Sequence, residues 1–438
     1  MSDALPLAPR PNLNQYKKLA KDLQHACKSG SPGAVRAWAA DLIERLARLQ
    51  KAEMTDDMRE GLNRAAQRIE ERWNKLLTSG NRRDRCLLAD AQYFVALEHG
   101  FTSWPRFSAH LDMIARRGSP VSNFEAAVDA IVEGDAGTLR ALLRKHPELV
   151  RARSTREHRS TLLHYVSANG VEDFRQKTPA NIVEITRILL EAGADVNATS
   201  RAYGGESTAL GLASTSIHPE YAGVQIALLE TLLAFGADIE QPGQAGNQHT
   251  AVNGCLANGQ GGAARFLAGR GAHLDLEAAA GVGYLDVVKG FFDDAGNLTK
   301  GATREPLESG FMYACGYGRV DVVRYLIERG VNPGVHNDGG QTGLHWAAYG
   351  PHVEVVKALI EAGAPVNVAD AHQRTPLDWA VGACVGAKTA EDRQRGYEMV
   401  ARLVRAGAKP DLQRARPRVR ERAEADPSLM AALRGETH

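Results

Sequence analysis

Neither sign of charge dominates this chain of 438 residues: 53 lysines and arginines face 52 aspartates and glutamates, for a formal net charge of +1. A dedicated nucleic-acid binder usually carries a marked basic surplus, so no nucleic-acid partner is expected. Cysteine is scarce. The five residues (Cys27, Cys86, Cys255, Cys315, Cys384) are odd in number and never form a Cys-x-x-Cys pair. That pattern argues against a disulfide scaffold or a zinc finger and fits a reducing compartment. No apolar run approaches the ~20 residues of a membrane helix, and the first residues lack the apolar core of a secretory signal. A cytoplasmic location without a membrane is the expectation. The motifs of zinc proteases, serine hydrolases and kinases are also missing. The glycine-rich stretches at 259–262 and 281–283 neither follow a strand nor carry the lysine of a phosphate loop. No catalytic residue, cofactor or metal site is expected.

What is present is helical periodicity. The chain is too long for one compact core and leaves room for two or three domains. Residues 1–12 read as a flexible start. Residues 13–117 read as a helical module, with Leu42, Ile43, Leu46 and Leu49 on one stripe and Leu62, Ile69, Trp73 and Leu76 on another. Gly100 can close one of its helices and Ser103 can cap the next, with Pro105 in the first turn. Residues 121–412 repeat a phrase. Glu191-Ala192-Gly193-Ala194-Asp195-Val196-Asn197 returns, with changes, around Gly236, Gly271, Gly330, Gly363 and Gly407. Gly330 and Gly363 lie 33 residues apart, and the wider intervals imply insertions and one degenerate copy. Each apolar run before a glycine reads as a helix with a buried stripe, closed by the left-handed conformation that glycine adopts cheaply. Upstream lie shorter helices, clearest in Thr342-Gly343-Leu344-His345-Trp346-Ala347 and Thr375-Pro376-Leu377-Asp378-Trp379-Ala380.

This threonine-led phrase and the 33-residue period resemble the ankyrin repeat, a β-turn followed by two helices. About eight units are expected, their short helices beginning near Asn123, Thr161, Thr208, Thr250, Leu274, Ser309, Thr342 and Thr375. The fold class is therefore all-α, an ankyrin-repeat solenoid with short β-hairpin fingers, preceded by a helical bundle and followed by a tail at 413–438 with a capping helix. The words Leu88-Ala89-Asp90-Ala91-Gln92 and Glu98-His99-Gly100-Phe101-Thr102-Ser103-Trp104-Pro105 are similar to a helical module that precedes ankyrin repeats in some bacterial proteins.

The resemblance implies a non-catalytic scaffold that holds a protein partner on the inner face of the short helices and on the finger tips; a monomer is expected. The motif alignment selects an aromatic strip, Tyr313, Tyr317, Trp346, Tyr349 and Trp379, with Tyr317 and Tyr349 the more exposed, because aromatic residues dominate interface energies. Tip candidates are Asp338, His372 and Arg374, with Tyr203, Glu206, Asn247 and Gln341 beside them. His164 and His345 occupy the motif histidine position and read as structural. His249 near Cys255 does not suggest a metal, because Cys255 and Cys315 replace buried motif alanines. Three insertions, Val171 to Asn181, His218 to Val224 and Val385 to Arg395, read as loops between short and long helices. The first two suggest a polar edge site of Asn169, Arg175, Gln176, Lys177, Thr215 and His218. Two alternatives stay open: a small-molecule or catalytic pocket at that site, lined also by Asn253, and an exported effector acting on a host protein.

Overall fold

The computed structural model describes residues 4–8, 11–49, 56–79, 86–240, 250–299 and 303–436. Asn247 and His249 lie outside them. The chain forms two compact units, Met1–Asn247 and Gln248–His438.

The first unit opens with five helices, Leu13–Lys28, Ala34–Leu49, Asp56–Ser79, Leu88–Glu98 and Trp104–Ala115. Asn12 starts the first through a capping box with Gln15, satisfying two amide donors that the helix itself leaves open. Its apolar residues Tyr16, Leu19, Ala20 and Leu23 fall three or four apart and are all buried. They meet Trp38, Ile69, Trp73, Phe94 and Phe107 in one core. The Tyr16 and Phe107 rings stand edge to face at 4.9 Å. Gly100 takes a φ of 81°, and the Ser103 hydroxyl accepts the Arg106 amide. Residues 4–8 run back along this bundle, where the Leu5 amide donates to the Glu98 carbonyl at 2.7 Å.

Helix pairs follow in both units. The short helices are Pro120–Glu133, Leu162–Ser167, Ala209–Ser214, Ala251–Ala257, Leu276–Val282, Arg304–Gly316, Gly343–Tyr349 and Pro376–Gly386. Among the described residues these short helices lie near the expected starts, two of them displaced. Ser119, not Asn123, caps the first short helix. The sixth begins at Arg304, five residues before Ser309. The second is a 3-10 helix rather than an α-helix. Each closing glycine of the repeated phrase has positive φ, from 82° at Gly363 to 97° at Gly407. The asparagine of that phrase ties one repeat to the next. Asn197 donates to the Gly236 carbonyl at 3.0 Å and accepts the Asp238 amide at 2.8 Å. Asn367 does the same with Gly407 and Lys409. Such bonds contribute about 0.5–1.5 kcal/mol each. Fingers are reduced to short antiparallel pairings, as at Thr199 with Thr208 and His336 with Thr342.

The insertions meet different fates. Val171 to Asn181 folds inward around a single 3-10 turn, Asp173–Arg175. His218 to Val224 contributes to an extra helix, Ile217–Tyr221. Val385 to Arg395 is for the most part not a loop, because helices Pro376–Gly386 and Ala390–Arg405 lengthen into it. The tail forms two helices rather than one, Pro417–Glu424 and Pro427–Ala432. Leu429 and Ala432 join the second unit's core and cover its last apolar side. The arginines at 414, 416, 418 and 422 stay exposed.

The cysteine count argues against a disulfide, yet the fold joins Cys27 to Cys86, with Cα atoms 6.0 Å apart. Their separation of 59 residues hides the pair in the sequence; helices that fold back on one another bring the two together. Cys255, Cys315 and Cys384 are buried thiols outside that bridge, and burial pushes the Cys315 thiol above the normal range, as expected for inert structural thiols. Closing a loop of this length removes about 4 kcal/mol of unfolded-chain entropy. Thiol titration of the denatured chain without reductant should therefore find three thiols, and five after reduction. A Cys27→Ser variant should melt lower than the oxidised protein and no differently from the reduced one.

Candidate functional site

The aromatic strip belongs to the second unit. Thr342 and His345 close a capping box at the start of Gly343–Tyr349. The His345 Nδ1 accepts the Thr342 amide at 3.0 Å, and its Nε2–H donates to the Arg374 carbonyl at 3.0 Å. That pair of bonds fixes the neutral tautomer and joins two repeats. His164 does the same between Thr161 and the Ser207 carbonyl. With the helix so held, Trp346 and Trp379 lie 6.1 Å apart, and Tyr349 meets Trp379 edge-on at 5.9 Å. Trp379 is pinned from behind, its indole N–H donating to Asp370 at 3.1 Å. The Arg374 guanidinium pairs with the same carboxylate at 2.8 Å and lies 4.9 Å from the Trp379 ring centre. Burial would raise the Asp370 pKa, but hydrogen bonds from Arg374, Trp379 and His372 outweigh it and hold the carboxyl at about 2.

Exposure along the strip is uneven. Tyr349 is 64% exposed. Trp346 and Trp379 are half-buried. Tyr317, expected in the open, is also half-buried, because its hydroxyl donates to the Leu256 carbonyl at 2.5 Å. Tyr313 stands 6.3 Å from Tyr317. Asp338, His372 and Arg374 are exposed beside the strip, with Gln341 half-buried.

The polar edge site is divided. Asn169 donates to Thr215 and to the Leu212 carbonyl, both at 3.2 Å, and accepts the Tyr203 hydroxyl. Tyr203 holds a left-handed φ of 54° as it folds onto Asn169, a strained conformation for a bulky residue. Glu206 and Lys177 are exposed and His218 is half-buried. Gln176 bonds its own loop at the Val171 carbonyl. Arg175, expected at the surface, is 6% exposed. It pairs with Glu125 and Asp129, each at 2.7 Å. Arg156 joins Glu125 and Glu172, each at 2.8 Å. Asn253, named with that pocket, lies in the second unit and donates to Asp275 at 2.7 Å.

This network is what sequence reasoning missed. Its one legible sign is Glu125 and Asp129, four residues apart on one helix and therefore on one face. Burial would raise the Glu125 pKa, but Arg156 and Arg175 outweigh it and hold the group at about 2. Burial would weaken the Arg156 and Arg175 cations, and the carboxylates more than offset it. The network touches the N-terminal helices. Arg156 lies over the Phe101 ring, the Glu157 amide donates to the Gly100 carbonyl, and His110 bonds Thr155 at 2.7 Å.

Residues 311–414 match the family model of ankyrin repeats in three copies. These residues carry ankyrin repeats. Among solved structures, the human ASB11 ankyrin repeat domain is similar at 22% identity, covering 65% of this chain and 99% of that one, with a TM-score of 0.33. No curated protein matches the chain. Among the described residues, no ankyrin or N-terminal helix is long and apolar enough to cross a membrane. No group of three or more histidine, cysteine or acidic side chains among them could hold a metal.

Removing one partner of a buried ion pair leaves the other charge stranded, at a cost of about 3–5 kcal/mol. Arg175→Ala should therefore lower the urea midpoint of the protein strongly, whereas Lys177→Ala should not. Burial lowers the pKa of His99, His110 and His164 to about 4. The unfolded chain then binds more protons than the folded one between about pH 6.5 and pH 4. Stability should fall as pH drops through that window. The contribution of Glu125 should be lost only below it, as pH falls towards about 2.

Proposed function

We propose that the protein is a non-catalytic scaffold that grips a protein partner on the aromatic strip of its second unit. The observation that carries this reading is the Trp346–Tyr349–Trp379 cluster. Its rings are held from behind by capping and by Asp370, while Tyr349 stays 64% exposed. A rigid aromatic surface orders little on binding, so more of its contact energy appears as affinity. Asp338, His372 and Arg374 supply a polar rim beside it.

The rival pocket in the insert-bearing repeats has less support, because Arg175 is committed to Glu125 and Asp129. We read the chain as a monomer without nucleic-acid or membrane partners, and the N-terminal helices as the bacterial-type module that the words at 88–92 and 98–105 suggest. The Cys27–Cys86 bridge stands against a strongly reducing location, since persistent disulfides belong to oxidising surroundings.

The test compares proteins captured by the wild type with those captured by Tyr349→Ala and by a Trp346→Ala/Trp379→Ala double variant. A specific partner should bind the single variant at least tenfold more weakly, because hot-spot aromatics cost about 2 kcal/mol or more on truncation, and should be lost from the double variant. An unchanged set of captured proteins with normal melting behaviour would clear the strip of the role.

A further inference from the structure

A second surface lies on the other unit. Residues 4–6, two module helices and the inward-folded insertion of the second repeat border one groove of about 320 Å3. Its apolar wall is made by Leu5, Ile43, Ala65, Ile69 and Phe174. Phe174 reaches this wall because its neighbour Arg175 is drawn inward by Glu125 and Asp129, which fixes the 3-10 turn that carries both. The insertion thus helps build a groove that neither the helical module nor the repeats contain alone.

Among the described residues, the rim has one charge without a partner. Arg72 is bound by both oxygens of Glu98, at 2.9 and 2.6 Å. Asp173 is already engaged within the chain. Arg68 is exposed and, among the described residues, has no hydrogen bond or ion pair. Its helical neighbours four residues away are Arg64 and Arg72, themselves paired with Glu60 and Glu98. At that spacing the helix offers Arg68 no carboxylate, and Glu71, three residues on, accepts from Gln67 at 2.9 Å; the Arg68 charge lies at the rim of the groove, beside its apolar wall. The volume is at the small end of ligand-sized pockets, enough for one or two side chains and too little for a folded surface.

We propose that this groove docks a short acidic segment of another protein, its bulky apolar side chain against Ile43, Ile69 and Phe174 and a neighbouring carboxylate on Arg68. The apolar contact supplies most of the affinity and the charge selects the sequence. The aromatic strip belongs to the other unit and shares none of these residues.

The probe is a randomised twelve-residue peptide library displayed on phage and panned against the full wild-type chain. Selected peptides are then measured by fluorescence polarisation against wild type, Arg68→Glu, Ala65→Phe and Tyr349→Ala. Arg68 is exposed, and Ala65→Phe fills the groove without removing a contact, so thermal melts close to wild type are expected for both. The expected pool is rich in aspartate or glutamate beside leucine, isoleucine or phenylalanine. Its members should bind Arg68→Glu and Ala65→Phe at least tenfold more weakly and Tyr349→Ala as tightly as wild type. Peptides that bind both groove variants like wild type would overturn the proposal, as would a pool without acidic residues. So would failure to enrich any peptide, or tight binding of decanoate where no peptide binds, which would assign the groove to a lipid.

Discussion

A helix pair of this length has one greasy side and no means of covering it alone. Val355, Val356 and Leu359 of one long helix are buried only because neighbouring pairs lie against them. Everything else in each unit follows from that dependence. Helix ends must be closed tightly, so glycines at positive φ recur. Neighbours must keep register, so an asparagine and a histidine in the repeated phrases each reach the backbone of the following repeat. The last pair needs a cover, which the two tail helices provide with Leu429 and Ala432. At about 1.5–3 kcal/mol for each large side chain fully buried, loss of one interface endangers its neighbours.

A scaffold so determined by stacking leaves its insertions free to differ, and the three here do. One lengthens two existing helices, one contributes to a small helix of its own, and one turns inward to place Arg175 among Glu125, Asp129 and Glu172. Buried ion pairs of this kind add little net stability over apolar packing, but they tolerate only one arrangement, since each misplaced charge would be stranded. In this chain that arrangement fixes the insertion at the first repeat and beside the N-terminal helices.

The same division explains the two surfaces. On the aromatic strip, side chains are held by bonds from behind: Trp379 by Asp370 and Tyr317 by the Leu256 carbonyl. What remains in the open, Tyr349 above all, is presented by a rigid base. The groove of the first unit is built from segments distant in the chain, Leu5, Ile43, Ile69 and Phe174, with Arg68 at its rim.

The sequence by itself determined the helix pairs, most of their starting residues and their closing glycines. These are set within a few residues of chain, by local backbone preference and by a period that neighbouring copies share. Trp346 and Trp379 come together for the same reason: equal positions in successive repeats lie side by side. Tertiary structure decided the Cys27–Cys86 bridge, the second tail helix, the half-burial of Tyr317 and the inward turn of Arg175. Each depends on which distant groups become neighbours, 59 residues apart for the cysteines and 61 for the Tyr317 hydroxyl and its carbonyl. A side chain's exposure is a property of that company, and no local pattern encodes it.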